Sequence, residues 1–173
     1  STDVKVEGAP NLAKVEVRGI ACASDQAWLA GLTVDQHLDG DRVTITPRRA
    51  HDTNVSWFGS SYAYIQLHVR VPARLAIEIA DSSGDASISD VAAANFEASS
   101  GDLEVHHVAG PLMLKVSSGD VTGEDLGSVD VHATSSGDIH LRDVRGDVTV
   151  ARSGSGDLTF DNVGGAVSSG SVG

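Results

Sequence analysis

Apolar and polar residues alternate in short runs along the second half of the chain, as in β-strands that bury one face. After each Ser-Ser-Gly-Asp or Gly-Ser-Gly-Asp motif, the first and third residues are apolar or small, and the second and fourth are polar in almost every case. The residues predicted to point inward are Ala86, Ile88, Leu103, Val105, Val121, Gly123, Ile139, Leu141, Leu158 and Phe160. Each motif therefore predicts a strand that follows directly after it.

A second alternating run follows in each unit, after a further apolar residue six places beyond the motif Asp and a turn of small residues. Its predicted inward residues are Ala94, Phe96, Ala98, Leu112, Leu114, Val116, Val129, Val131, Ala133, Val148 and Val150. Arg152 stands where a third inward residue is expected, which indicates a bend at that corner. Each unit thus predicts strand, turn, strand, turn.

The motif recurs at a nearly fixed interval, which is typical of a stacked array. Its glycines, Gly84, Gly101, Gly119, Gly137 and Gly156, are separated by 17, 18, 18 and 19 residues. Such a unit cannot bury its apolar face alone, but neighbours stacked about 4.8 Å apart form parallel sheets around a continuous core. The pattern predicts an all-β, parallel β-solenoid with a narrow aliphatic core and no internal cavity.

The whole chain, 1–173, is predicted to be a single solenoid domain. Residues 1–81 lack the motif but keep strand-like alternation, so we expect longer, less regular coils that continue into the regular rungs of 82–173. The segment 24–38 is compatible with a helical turn. The ending Ser-Ser-Gly-Ser-Val-Gly at 168–173 resembles the start of another rung, which would leave an open edge that could pair with a second copy or with residues outside the given sequence.

Composition narrows the range of partners. The formal charge is −12, and only 12 Lys and Arg residues are spread along the chain, which argues against a nucleic-acid partner. The lone Cys22 allows no internal disulfide. No apolar run reaches the roughly 18 residues that a membrane-spanning helix needs, so none is predicted.

The motif corners have a structural and a functional interpretation. Glycine allows a positive φ at the turn, and the aspartate can accept hydrogen bonds from nearby backbone amides. The alternative is a ladder of carboxylates that binds divalent cations, since like charges one rung apart repel. The corner residues are Gly84, Asp85, Gly101, Asp102, Gly119, Asp120, Gly137, Asp138, Gly156 and Asp157. We favour the structural interpretation and predict no metal or cofactor.

Four of the seven aromatic residues lie close together in the N-terminal part. Trp57, Phe58, Tyr62 and Tyr64 surround a Gly-Ser turn and are candidates for contact with a glycan, a peptide or a partner protein. The alternative, which we favour, is that they cover an open end of the solenoid. They are the only candidate contact residues that the sequence singles out.

No recognised catalytic motif is present: the chain has no nucleophile elbow, phosphate-binding glycine loop or His-Glu-x-x-His sequence. The adjacent His106 and His107 would face opposite ways on a strand, so they cannot chelate one metal together unless a turn begins there. The Arg145-Gly146-Asp147 triplet matches an integrin-binding motif but occupies an ordinary middle turn. We predict that the chain is not an enzyme.

The passage VRVPARLAIEIADSSGD at 69–85, followed by repeated SSGD motifs with apolar alternation, resembles the bacterial "putative adhesin" family, also called the toastrack domain. The resemblance covers nearly the whole chain. It implies a secreted, periplasmic or membrane-tethered module of the bacterial envelope, linked with surface adhesion or envelope stress and without an established set of catalytic residues.

Two functional hypotheses follow from the residues and this resemblance together. The first is a non-enzymatic binding or scaffold module that contacts a protein or glycan of the cell envelope. The alternative is a carbohydrate-active β-helix enzyme, a lyase or hydrolase, which would need convergent carboxylates on one face.

Overall fold

The computed structural model describes residues 2–23, 32–49 and 63–172. These ranges contain strands and turns but no helix. They therefore contain no helix that could cross a membrane. The strands are β1 (Thr2–Ala9), β2 (Glu16–Ala23), β3 (Leu32–Asp39), β4 (Arg42–Arg49), β5 (Ala63–Pro72), β6 (Ala76–Ser83), β7 (Ala86–Val91), β8 (Ala93–Ser100), β9 (Leu103–Ser118), β10 (Val121–Ser136), β11 (Ile139–Val144), β12 (Val148–Ser155), β13 (Leu158–Val163) and β14 (Val167–Val172).

The strands form two stacks that we call the first and second sheets. The first sheet has the order β2-β5-β1-β7-β9-β10-β11-β13, and the second has the order β3-β4-β6-β8-β9-β10-β12-β14. β9 and β10 run through the middle turn, so each contributes its first half to one sheet and its second half to the other. Apart from β2 and β3, the pairing is parallel, which confirms the predicted β-solenoid.

The core lies between the two sheets, where equivalent residues of successive rungs stack in columns. One column joins Ile88, Val105, Gly123 and Leu141, and the large members of this column are 0% exposed. The predicted inward residues are buried through the first four rungs, apart from Ala133, while Leu158 and Phe160 of the last rung are only partly buried. The aliphatic core predicted from alternation is confirmed.

One predicted column shifts by a residue. The register between β9 and β10 changes after Val131, so that Thr134 rather than Ala133 pairs with Val116 and is buried. Ser153 pairs with Thr134 and is buried in the next rung, which leaves Arg152 exposed. These rungs absorb their extra residue as a bulge in the strand. A bulge reverses the side-chain alternation beyond it, which explains why Thr134 and Ser153 are buried.

The N-terminal part differs from the expected succession of coils. β1 lies between β5 and β7 and pairs in parallel with both, although the chain reaches β5 only after three other strands. β2 and β3 are antiparallel to β5 and β4 at the end of the stack. Residues 32–38 belong to β3, so a helical turn there is wrong, while 24–31 lie outside the described residues.

The C-terminal segment is the second strand of the fifth rung, so the interpretation of 168–173 as the start of another rung is wrong. Val167 pairs with Val148, and Ser169 pairs with Val150. The reason lies in the spacing: Val167 stands four places after Val163, as Val148 stands four places after Val144. The Ser-Ser-Gly letters recur here within a strand and form no corner.

Candidate functional site

The motif corners bring successive rungs into close backbone contact. Gly119 has a φ of 127°, and a Cβ on this residue would lie 2.1 Å from the carbonyl oxygen of Gly101. Residues other than glycine rarely adopt this φ, and no side chain fits in that space. The corners therefore require glycine both for the turn and for the approach of the preceding rung.

The motif aspartates form a ladder of hydrogen bonds between rungs. The backbone N–H of Asp102 donates to Asp85 Oδ1 at 3.0 Å, and that of Asp120 donates to Asp102 Oδ1 at 2.9 Å. The N–H groups of Asp138 and Asp157 bond in the same way to the preceding aspartate, at 2.9 and 2.8 Å. One oxygen of each of these four acceptor carboxylates is thus used within the stack.

An open groove of about 740 Å³ runs beside these corners, across β5, β1, β7, β9 and β10. We call it the corner groove. Its lining includes Asp85, Asp102 and Asp120 at the corners, and Lys5, Ser87, Glu104 and Thr122 on the strands. The groove therefore combines carboxylates, hydroxyls and one ammonium group with the apolar residues Val4, Leu67, Ala86 and Leu103. It can offer both hydrogen bonds and apolar contact to a partner.

The outer face of the first sheet carries His–carboxylate pairs that link neighbouring strands. Glu7 Oε2 lies 3.4 Å from His68 Nε2, between β1 and β5. His140 Nε2 lies 3.3 Å from Asp161 Oδ2, between β11 and β13. These side chains are 40–57% exposed, so the face presents polar groups to solvent.

His106 and His107 point to different partners. His106 lies on the outer face, with Nε2 2.9 Å from Glu104 Oε1 and Nδ1 3.9 Å from Glu124 Oε2. His107 begins the middle turn, with a φ of 55°, and its Nε2 lies 2.9 Å from Asp125 Oδ2. Within the ranges 2–23, 32–49 and 63–172, no group of three or more His, Cys, Asp or Glu side chains could hold a metal ion.

The middle turns contain a second set of repeating residues, at the same position of each rung, that the sequence pattern did not single out. Asp90, His107, Asp125, Asp143 and Asn162 all have left-handed backbones, with φ between 54° and 58°. Asp, Asn and His are the non-glycine residues most often found in this conformation. Their recurrence directly before the apolar residue six places after each motif Asp was the signal that could have located these turns.

The Arg145-Gly146-Asp147 triplet is engaged in contacts between rungs. Arg145 Nη1 donates to Asp125 Oδ1 at 2.9 Å, and Nη2 donates to the carbonyl oxygen of Val108 at 3.0 Å. Asp147 Oδ1 accepts the N–H of Ala166 at 2.8 Å. Both charged groups of the triplet therefore bond within the solenoid.

Three of the four aromatic candidates, Trp57, Phe58 and Tyr62, lie outside the described residues. Tyr64 lies on β5, opposite Cys22 of β2, and is partly buried. Their suggested roles in partner contact or in covering the end of the solenoid remain predictions.

Comparison with known proteins gives two matches. A family model described as Toastrack DUF4097 matches residues 3–168. A crystal structure of a protein described as a "putative cell adhesion protein" from Clostridium sporogenes is similar, with a TM-score of 0.42 and 10% sequence identity. The similarity covers 96% of this chain and 86% of that one. No curated protein matches the sequence.

Proposed function

Because the chain belongs to the Toastrack DUF4097 family, we propose that it is an adhesin-like binding or scaffold module of the bacterial cell envelope. The proposal places the protein on the extracytoplasmic side, in the periplasm, secreted or tethered to a membrane. Its partner is a protein or glycan of the envelope. It works without catalysis and without a cofactor.

The observation that carries this proposal is the regularly spaced polar surface of the first sheet. Strands β1, β7, β9, β10 and β11 hold their outward side chains in register. Two His–carboxylate contacts, Glu7 with His68 and His140 with Asp161, also join neighbouring strands of this sheet. A prearranged surface loses little side-chain entropy when a partner binds. The corner groove lies on this surface and provides donors and acceptors close together.

The motif aspartates belong to the framework of this surface in our proposal. Each of four carboxylates accepts a backbone N–H from the next corner, so they stabilise the turns that set the spacing of the strands. This role supports the structural interpretation of the corners over a cation ladder.

Binding is favoured over the enzyme alternative by the arrangement of acids. Glycoside hydrolysis generally uses two carboxyl groups that face each other across the scissile bond. Five acids line the corner groove, and three of them, Asp85, Asp102 and Asp120, follow one line along the corners and each accept a backbone N–H. The other two are Asp3 of β1 and Glu104 of β9.

The test measures binding of the full chain to defined ligands: purified peptidoglycan, a panel of bacterial polysaccharides and isolated envelope proteins. Lys5→Glu and Glu104→Lys reverse charges in the corner groove and should weaken binding at least several-fold. The matched control is Glu97→Lys, on the exposed face of the second sheet, which should leave binding unchanged.

The same polysaccharide panel is assayed for new reducing ends and for unsaturated products after long incubation. We expect none. Turnover would contradict the proposal in favour of an enzyme, and equal loss of binding in Glu97→Lys would remove the first sheet as the contact surface.

A further inference from the structure

Strand β7 forms the floor of a trough on the outer face of the first sheet. Its outward residues Ser87 and Ser89 have short side chains and are only partly exposed. The strands on either side carry longer residues: Lys5 of β1 and Glu104 of β9 both pair with Ser87. These three residues also line the corner groove. We call this part of the groove the β7 trough; one of its walls carries an ammonium group and the other a carboxylate.

The charged groups of the two walls can be reached by a partner. Lys5 is exposed, and its ammonium group pairs with no carboxylate among the residues that the structure describes. Glu104 is 62% exposed, and its contact with His106 uses only Oε1. Because β1 and β9 lie two strand spacings apart, the backbones of the two walls are roughly 10 Å apart. A partner that lies on Ser87 can therefore meet both charges.

The backbone pairing of β7 determines how a partner can lie in the trough. β7 pairs in parallel with β1 on one side and with β9 on the other. Neither edge of β7 is open, so a partner cannot add to the sheet as a further strand and must lie on its face. The width between the walls leaves room for one extended main chain, since neighbouring strands are spaced about 4.8 Å apart.

We propose that the β7 trough binds an extended peptide segment of a partner protein, in which an acidic side chain contacts Lys5 and an adjacent basic side chain contacts Glu104. Consecutive side chains of an extended chain point to opposite sides. An acidic residue next to a basic one therefore reaches both walls at once. This inference rests on the proposed binding function of the first sheet and narrows its partner to a protein.

The charges of the groove favour this occupant over a glycan. A neutral glycan offers no charge to either Lys5 or Glu104. An anionic glycan would meet five acids against one ammonium group, and like charges that face each other across an interface disfavour binding. None of the described residues that line the groove is aromatic, so a sugar ring has no aromatic face to pack on.

The test titrates the isotope-labelled full chain with the capped peptide Gly-Ser-Glu-Lys-Ser-Gly and follows the backbone amide signals by NMR. We expect weak, saturable binding with the largest shifts at Ser87 and its neighbours. The control peptide Gly-Ser-Glu-Ser-Lys-Gly has the same composition but, when extended, puts both charges on one side. It should bind about threefold more weakly, because it can pair with only one wall.

Charge reversals in the protein test the two walls together. Lys5→Glu and Glu104→Lys should each raise the dissociation constant of the Glu-Lys peptide about fivefold, because a like-charge pair replaces an attractive one. The variant with both reversals should recover most of the affinity, since the peptide then binds in the opposite direction. Glu97→Lys combined with Lys115→Glu is the matched control: it reverses a pair on the second sheet and should change nothing.

Three results would overturn the inference. If the double variant binds no better than the single ones, the two walls do not act together. If an all-lysine peptide binds more tightly than the Glu-Lys peptide and Lys5→Glu strengthens its binding, the groove selects positive charge alone. If a neutral polysaccharide shifts Ser87 equally in all variants, the occupant is a glycan. In that last case the proposed binding function stands, and it fails only when no envelope ligand binds the chain.

Discussion

Replacing Gly119 with alanine tests whether the corner glycines set the distance between rungs. The Cβ of the new residue would lie 2.1 Å from the carbonyl oxygen of Gly101 and 2.7 Å from its carbonyl carbon. Both atoms belong to the backbone, so no side chain can rotate away to make room. The two rungs must separate, or the corner must change its conformation.

The expected cost has two parts. A φ of 127° is sparsely populated for residues with a side chain, which costs roughly 1–3 kcal/mol. Separation of the rungs also stretches two hydrogen bonds at this corner: from Asp120 N–H to Asp102 Oδ1 and from Leu103 N–H to the carbonyl oxygen of Asp120. At about 1 kcal/mol each, they bring the total loss in free energy of unfolding to about 4 kcal/mol.

Equilibrium denaturation in urea, followed by far-ultraviolet circular dichroism, measures this loss. Gly40→Ala is the matched control, because Gly40 has a φ of 56° but no atom within 4 Å of the added Cβ. This variant carries only the strain of a left-handed residue, about 1 kcal/mol.

The comparison decides between two reasons for the glycine. If Gly119→Ala loses no more than the roughly 1–3 kcal/mol that its φ alone costs, the turn conformation alone requires glycine at the corner. The claim that close approach of the rungs requires it would then be refuted.

Three further predictions use the same denaturation assay. Asp120→Ala should lower the free energy of unfolding by about 1 kcal/mol, because its carboxylate accepts the N–H of the next corner. Asp157→Ala removes no such bond among the described residues and should have almost no effect; equal losses would argue against the ladder. Leu141→Ala empties a fully buried position and should cost about 2–5 kcal/mol. Leu158→Ala, at the partly buried edge, should cost clearly less, and an equal cost would mean that the last rung is covered. Arg145→Lys should lose up to about 1 kcal/mol, since one ammonium cannot replace a guanidinium that bonds a carboxylate of one rung and a carbonyl of another. An unchanged midpoint would show that this contact is not stabilising.

Only part of the candidate surfaces could be predicted from the sequence. The motif aspartates were found as corners because they recur with the glycines. The corner groove was not, because it depends on Lys5 of β1 lying beside Ser87 of β7, and these residues are far apart in the chain. The bonds of Arg145 to two other rungs likewise depend on stacking.

The sequence by itself determined the rung, its two strands and the residues that face the core. Alternation decides the face of each residue locally, and glycine at a regular interval decides where the chain turns. Ile88 and Leu141 could therefore be assigned to the core without coordinates. Tertiary structure decided the rest: the place of β1 between β5 and β7, and the burial of Thr134 instead of Ala133. Neither follows from local pattern, since the choice of neighbouring strand and the position of a bulge depend on which distant segments pack together.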